Sequence, residues 1–195
     1  MHSYLLPLFA IALYFEILQG QSYSMPENMP VHTKILWGEN GFFRKLNIAP
    51  KSRSSELKLR VKMLQLHQKI ALGTLGIFSY QSYLGNQMIK GDYLNKSRHR
   101  ILSKYVWSMY MSSAALSYFA PPAMKYNKKY DSMKIHRMLS WVHFSGMAVI
   151  PYLGYKIHKT DNLDSYNTAV KAHQVVALST LVTMILSALL SFLPY

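Results

Sequence analysis

The residues in this chain best equipped for chemistry are its histidines. There are eight of them and no cysteine. His67, His136, His143 and His173 each lie at or just inside the start of a long stretch free of Asp, Glu, Lys and Arg. A neutral imidazole binds a transition metal through one ring nitrogen, and that bond offsets the cost of burying a bare ring. The absence of cysteine excludes disulfides, iron–sulfur clusters and thiolate-ligated metals. Glu27, Glu39, Glu56, Asp92, Asp131, Asp161 and Asp164 all fall in links or tails, and Glu16 falls near the N-terminus. That placement disfavours a carboxylate-bridged di-iron site or an intramembrane Asp/Glu proton relay. Histidine is the strong metal ligand that remains.

The elements that must position these rings are four uncharged stretches. Lys69 to Lys90 encloses twenty such residues, Lys104 to Lys125 another twenty, Arg137 to Lys156 eighteen, and Lys171 to the C-terminus twenty-four. At 1.5 Å of rise per residue, roughly 20 apolar residues cross a hydrocarbon core about 30 Å thick. The sequence therefore reads as all-α: an integral membrane, up-down four-helix bundle. Its 195 residues are half hydrophobic and carry a net charge of +14. The cations flank the spans, where they anchor to lipid phosphates, so membrane lipid is the expected partner and nucleic acid is not.

Residues 1–22 read as a signal peptide, with an uncleaved anchor as the alternative. Residues 23–55 read as an irregular interfacial segment, with Trp37, Phe42 and Phe43 beside Arg44 and Lys45. Residues 56–195 form the four-span domain. Its first helix starts near Ser55-Glu56, and the later spans cover about 105–124, 134–156 and 168–193. On the first helix Lys58, Lys62 and Lys69 form a polar stripe. His67, nine residues from Lys58, falls on the opposite face and looks into the bundle. Short links make neighbouring helices antiparallel. The segment before the first span and the link between the second and third together hold fourteen Lys and Arg, against eight at the other end. The positive-inside rule makes the richer side cytoplasmic, whereas a cleaved signal would put it outside.

Haem suits this donor set: a flat, apolar macrocycle between helices, needing one or two axial histidines. His67 and His136 enter at similar levels and form the best-matched pair of iron ligands, with His143 and His173 as alternatives. His136 and His143 stand seven residues and about 10 Å apart on one helix face. One of them is expected to ligate and the other to hold a propionate or quinone oxygen. At the other end His173 could be matched by His99 or His158, but these two, among Arg98, Arg100, Lys156 and Lys159, read rather as solvated interfacial charge. The segment His67–Leu75 matches His173–Leu181 at six of nine positions, which suggests one local need at the start of the first and fourth spans. The rival reading is a haem-free membrane scaffold or assembly protein with interfacial histidines.

Lys134-Ile135-His136-Arg137-Met138-Leu139, and Ala172-His173-Gln174 at the head of the last span, resemble helix starts of cytochrome b561-like proteins. The resemblance covers about residues 60–193 and is one of pattern. It implies a membrane bundle in which histidines from different helices ligate b-type haem and electrons pass through or to the membrane. The seven-residue step from His136 to His143 departs from the family's arrangement. One haem b is expected at the His67–His136 end, and a second is allowed. The implied partners are a quinol or a soluble redox protein. The implied role is that of an electron carrier or oxidoreductase subunit rather than a substrate-specific enzyme, in a bacterial inner membrane.

Overall fold

In the computed structural model, every regular element among the described residues, 25–126 and 131–193, is helical. The expected signal peptide, 1–22, lies outside them. Two short helices, α1 (Val31–Trp37) and α2 (Phe42–Lys45), precede α3 (Arg53–Ile89). A 3-10 turn at Tyr93–Asn95 leads into α4 (Lys96–Tyr118), followed by α5 (Ser132–His158) and α6 (Leu163–Leu190). Local chemistry explains the boundaries. Gly91 takes a positive φ of 97° after α3, a conformation that side chains with a Cβ resist. The Asp131 side chain accepts from Lys134 N to start α5, and Asn162 accepts from Asp164 N and Ser165 N to start α6.

The described chain divides into two compact units. One holds the described residues up to Val61 together with Pro121–Tyr126. This corrects the irregular segment expected over 23–55, since α1 and α2 lie within it. Trp37 is buried and packs on Phe43 with ring centroids 4.8 Å apart. Arg44 Nε donates to the carbonyls of Trp37 and Gly38, and its Nη2 reaches Glu56 Oε1 at 2.6 Å. Arg53 Nη1 pairs with Glu56 Oε2 at 2.9 Å, while its Nη2 donates to the carbonyls of Pro122 and Ala123. Arg60 donates to Pro121 O at 2.6 Å. Glu56 has no exposed surface. Helices this short carry little signal of their own and form because tertiary partners hold them.

The other unit comprises Lys62–Ala120 and the described residues from Asp131 onward. Its core draws on all four long helices: Phe78 from α3, Val106 and Tyr110 from α4, Met147 and Ile150 from α5, and Met184 from α6. Helix α4 ends at Tyr118, earlier than the span expected to reach 124, and Pro121-Pro122 belongs to the other unit. Among the described residues, one helix, Leu163–Leu190, is long and apolar enough to cross a membrane by length and composition. The uncharged stretches of α3, α4 and α5 are diluted by Ser, Gln, Tyr, Gly and His.

Candidate functional site: a histidine ladder

Each of the four long helices carries one inward histidine and then repeats the same register. The positions are i, i+7, i+11 and i+14. Helix α3 places His67, Thr74, Phe78 and Gln81 there, and α4 places His99, Val106, Tyr110 and Ser113. Helix α5 supplies His136, His143, Met147 and Ile150, and α6 supplies His173, Thr180, Met184 and Ser187. Apart from the leading histidines and His143, every one of these side chains is buried. Steps of seven, four and three keep residues on one helical stripe, and this stripe faces the other helices.

The register also determines the partners of the rings. His67 Nδ1 donates to Ser113 O at 2.9 Å, and His136 Nδ1 donates to Ser187 O at 2.8 Å. His99 Nδ1 donates to Gln81 O at 3.0 Å. The matching carbonyl for His173 is that of Ile150, which interacts with the ring while Nδ1 stays outside hydrogen-bond geometry. Each acceptor is the i+14 residue of the antiparallel neighbour in its own helix pair, α3 with α4 or α5 with α6. A carbonyl can only accept, so each of the three bonded Nδ1 atoms carries the hydrogen and leaves the Nε2 lone pair free. A histidine that binds a metal through one ring nitrogen is commonly held through the other in this way.

Two diagonal pairs result. His67 lies within electrostatic reach of His136. His99 and His173 face each other with ring centroids 6.5 Å apart and planes at 72°. Fourteen helical residues separate the two levels, a rise of about 21 Å. The ends are built differently. At the first, the hydroxyls of Ser113 and Ser187 sit 2.9 Å from the Nδ1 atoms of His67 and His136. The Ser113 hydroxyl also donates back to His67 O at 3.1 Å. At the second end, glycines stand against the rings. A Cβ on Gly85 would lie 3.1 Å from His99 Cε1, and one on Gly154 would lie 3.5 Å from His173 Cε1.

These residues fit an iron macrocycle better than a bare ion. Among the described residues no group of three or more His, Cys, Asp or Glu side chains gathers as a metal site. Two imidazoles leave a tetrahedral ion half-coordinated, whereas a porphyrin brings its own four nitrogens. With metal–nitrogen bonds of about 2 Å, two axial imidazoles place their ring centres about 6 Å apart. At the second end two buried polar atoms, Gln81 Oε1 and His173 Nδ1, have no hydrogen-bond partner.

Of the expected site residues, the structure brings His67 and His136 to one level. It brings His173 against His99 rather than His158, although the charges around His99 point to a solvated interface. His158 stays exposed, as expected. The cations flanking His99 hid the signal that identifies it, the 7-4-3 core register running from it to Ser113. The echo between His67 and His173 likewise joins helices that are not equivalent. His67 corresponds to His136, and His99 to His173. His143 stands apart from the ligand positions, with Tyr110 Oη 2.6 Å from its Nδ1. Comparison with known proteins returned no matching family model, no matching curated protein and no matching solved structure.

Proposed function

We propose that this chain is a four-span, b-type cytochrome-like membrane protein that carries electrons between two bis-histidine sites. His67 and His136 would hold one haem, and His99 and His173 a second. The observation that carries the reading is the facing pair His99–His173, 6.5 Å apart between ring centres, within a four-fold repeated register. When bound, the haem irons supply one-electron chemistry. The chain's part is to hold the Nδ1 atoms of His67, His99 and His136 on backbone carbonyls, which leaves their Nε2 lone pairs for a ligand, and to exclude water through the packed core. Lys58, Lys62 and Lys69 could steer an acidic redox partner to the first end. A quinol or a soluble carrier is the donor class this reading implies.

The distribution of polarity supports membrane insertion. The buried positions include Thr74, Gln81, Ser113, Thr180 and Ser187. The outward faces present Leu72, Tyr83, Trp107, Trp141, Val142, Val182 and Leu186. The interior mixes these polar groups with the apolar core, while the outward faces present large apolar side chains, an arrangement that suits helices surrounded by lipid. The buried polar side chains lie on α3, α4 and α6, whereas α5 buries Met147 and Ile150, and among the described residues α6 alone has a span-grade composition.

The test is spectroscopic. The full chain, expressed with ample haem and purified in mild detergent, should give a low-spin α-band in its reduced-minus-oxidised spectrum. It should also bind two haems per chain. His99→Ala or His173→Ala should remove one haem, His67→Ala or His136→Ala the other, and His158→Ala neither. Absence of the band would refute the cytochrome reading and favour the haem-free scaffold. A wild-type protein with a single haem, unchanged in His99→Ala, would confine the function to the first end.

A further inference from the structure

The ladder contains one histidine that the haem reading does not use. His143 occupies the i+7 position of α5, where the other helices carry Thr74, Val106 and Thr180. In an antiparallel bundle with fourteen residues between levels, i+7 is the middle layer, about 10 Å of helical rise from each end. His143 is therefore seven residues from the nearest proposed ligand, His136, and interacts electrostatically with both His136 and His67.

Its hydrogen-bond partner differs in kind from those of the bonded ligating rings. Their Nδ1 atoms donate to carbonyls, which accept only, even at His67 and His136 where a serine hydroxyl also lies 2.9 Å away, and their Nε2 atoms would be taken up by iron. Those rings have nowhere to place another proton. His143 Nδ1 instead faces the Tyr110 hydroxyl at 2.6 Å. A phenol both donates and accepts. It donates to Nδ1 when the imidazole is neutral and, after rotating its hydrogen, accepts from Nδ1–H when the ring is an imidazolium. The hydrogen bond between the two side chains therefore survives protonation of the ring. Tyr110 is itself held in the core, with its ring edge-on to His143 at 5.7 Å.

The groups facing His143 are few. Helix α3 contributes His67 beside uncharged Thr74, and α4 contributes Tyr110. Its own helix contributes His136, and α6 presents only Thr180 and Met184 at these levels. No carboxylate lies in the core portion of any long helix. A change of one charge at the His67–His136 level is thus compensated by no other titratable group as well placed, and the low-dielectric interior transmits it.

We propose that His143 and Tyr110 form a proton-accepting pair that takes up one proton for each electron arriving at the His67–His136 level. The proposal rests on the haem reading above. With haem held by His67 and His136, the electron would come from the quinol or soluble reductant and reside on that group. The proton comes from solvent and bonds to His143 Nδ1. No covalent bond of Tyr110 breaks, because its hydroxyl only reverses the direction of its hydrogen bond.

The experiment is a spectroelectrochemical titration of the haem-loaded full chain across about pH 5–8, the range in which histidine changes charge. The wild-type potential of the His67–His136 haem should fall as pH rises, with a limiting slope of about 59 mV per pH unit for a one-electron, one-proton couple. His143→Gln should flatten that dependence while leaving the α-band in place. Tyr110→Phe should displace or flatten it and covers the case in which His143→Gln does not fold. The potential of the His99–His173 haem should depend on pH less steeply. A normal α-band with a pH-independent wild-type potential overturns this inference alone, as does an undiminished slope in both variants. A wild-type protein without the band overturns it together with the haem reading.

Discussion

Glu56→Gln tests what holds the first unit together. The wild-type carboxylate is fully buried between two guanidinium groups, 2.6 Å from Arg44 and 2.9 Å from Arg53. Gln preserves the shape and one acceptor oxygen but removes the charge. Breaking a buried ion pair costs about 3–5 kcal/mol, because the surviving charge stays desolvated. Here the arginine side chains keep 19% and 16% of their surface exposed, so water takes up part of that cost. A loss of about 2–4 kcal/mol follows once that solvent screening is allowed for. Because α1 and α2 depend on this network rather than on their own propensity, the loss should appear as local opening. Amide hydrogen exchange, followed by mass spectrometry, should accelerate roughly 30- to 700-fold over Val31–Lys45, at 1.4 kcal/mol per factor of ten. Amides around Met147 and Met184, in the other unit's core, should change little. Exchange over α1 and α2 within about threefold of wild type would falsify the claim that the buried charge anchors them.

Two further perturbations probe the ladder. Gly85→Ala puts a Cβ 3.1 Å from His99 Cε1, whereas Gly154→Ala meets His173 at an ordinary 3.5 Å. On the proposed haem reading the first should therefore perturb the spectrum of a haem held by His99 and His173 and the second should be tolerated; equal effects would sink the argument from the glycine contacts. Gly146→Ala drives its new methyl into Thr180 Oγ1 and should cost about 1–3 kcal/mol of stability, read as a lower unfolding temperature in detergent. Adding Thr180→Ala should restore most of the loss, since it removes the clashing hydroxyl and leaves the neighbouring Cβ at 3.1 Å. A double variant no more stable than Gly146→Ala would place the strain elsewhere.

The helical fold was legible because charge and apolarity alternate in long blocks. The start of α3 was placed within a few residues of Arg53, and α5 and α6 were located with similar accuracy. The end of α4 was not, because the uncharged run continues past Tyr118 to Met124 after the helix has stopped. His67 and His136 could be matched by their depth alone. His99 could not: its neighbours Arg98 and Arg100 are charged, and a linear reading weights near neighbours over the core positions that follow at seven, eleven and fourteen residues. Helices α1 and α2 were missed for a related reason, since Arg44 and Glu56 stabilise them across twelve positions of sequence.

The sequence by itself determined the donor set. With no cysteine and no carboxylate in its uncharged stretches, imidazole is the ligand on offer, and the charge-free blocks establish where the helices run. The tertiary structure decided which histidine meets which. Hydrogen bonds from Nδ1 to carbonyls on the neighbouring helix orient His67, His99 and His136, and packing between α4 and α6 sets His99 against His173. It also distinguished His143 from these rings by turning it to Tyr110. The physical reason is that a ring's free nitrogen is selected by what its other nitrogen touches, and that contact comes from residues tens of positions away in the chain.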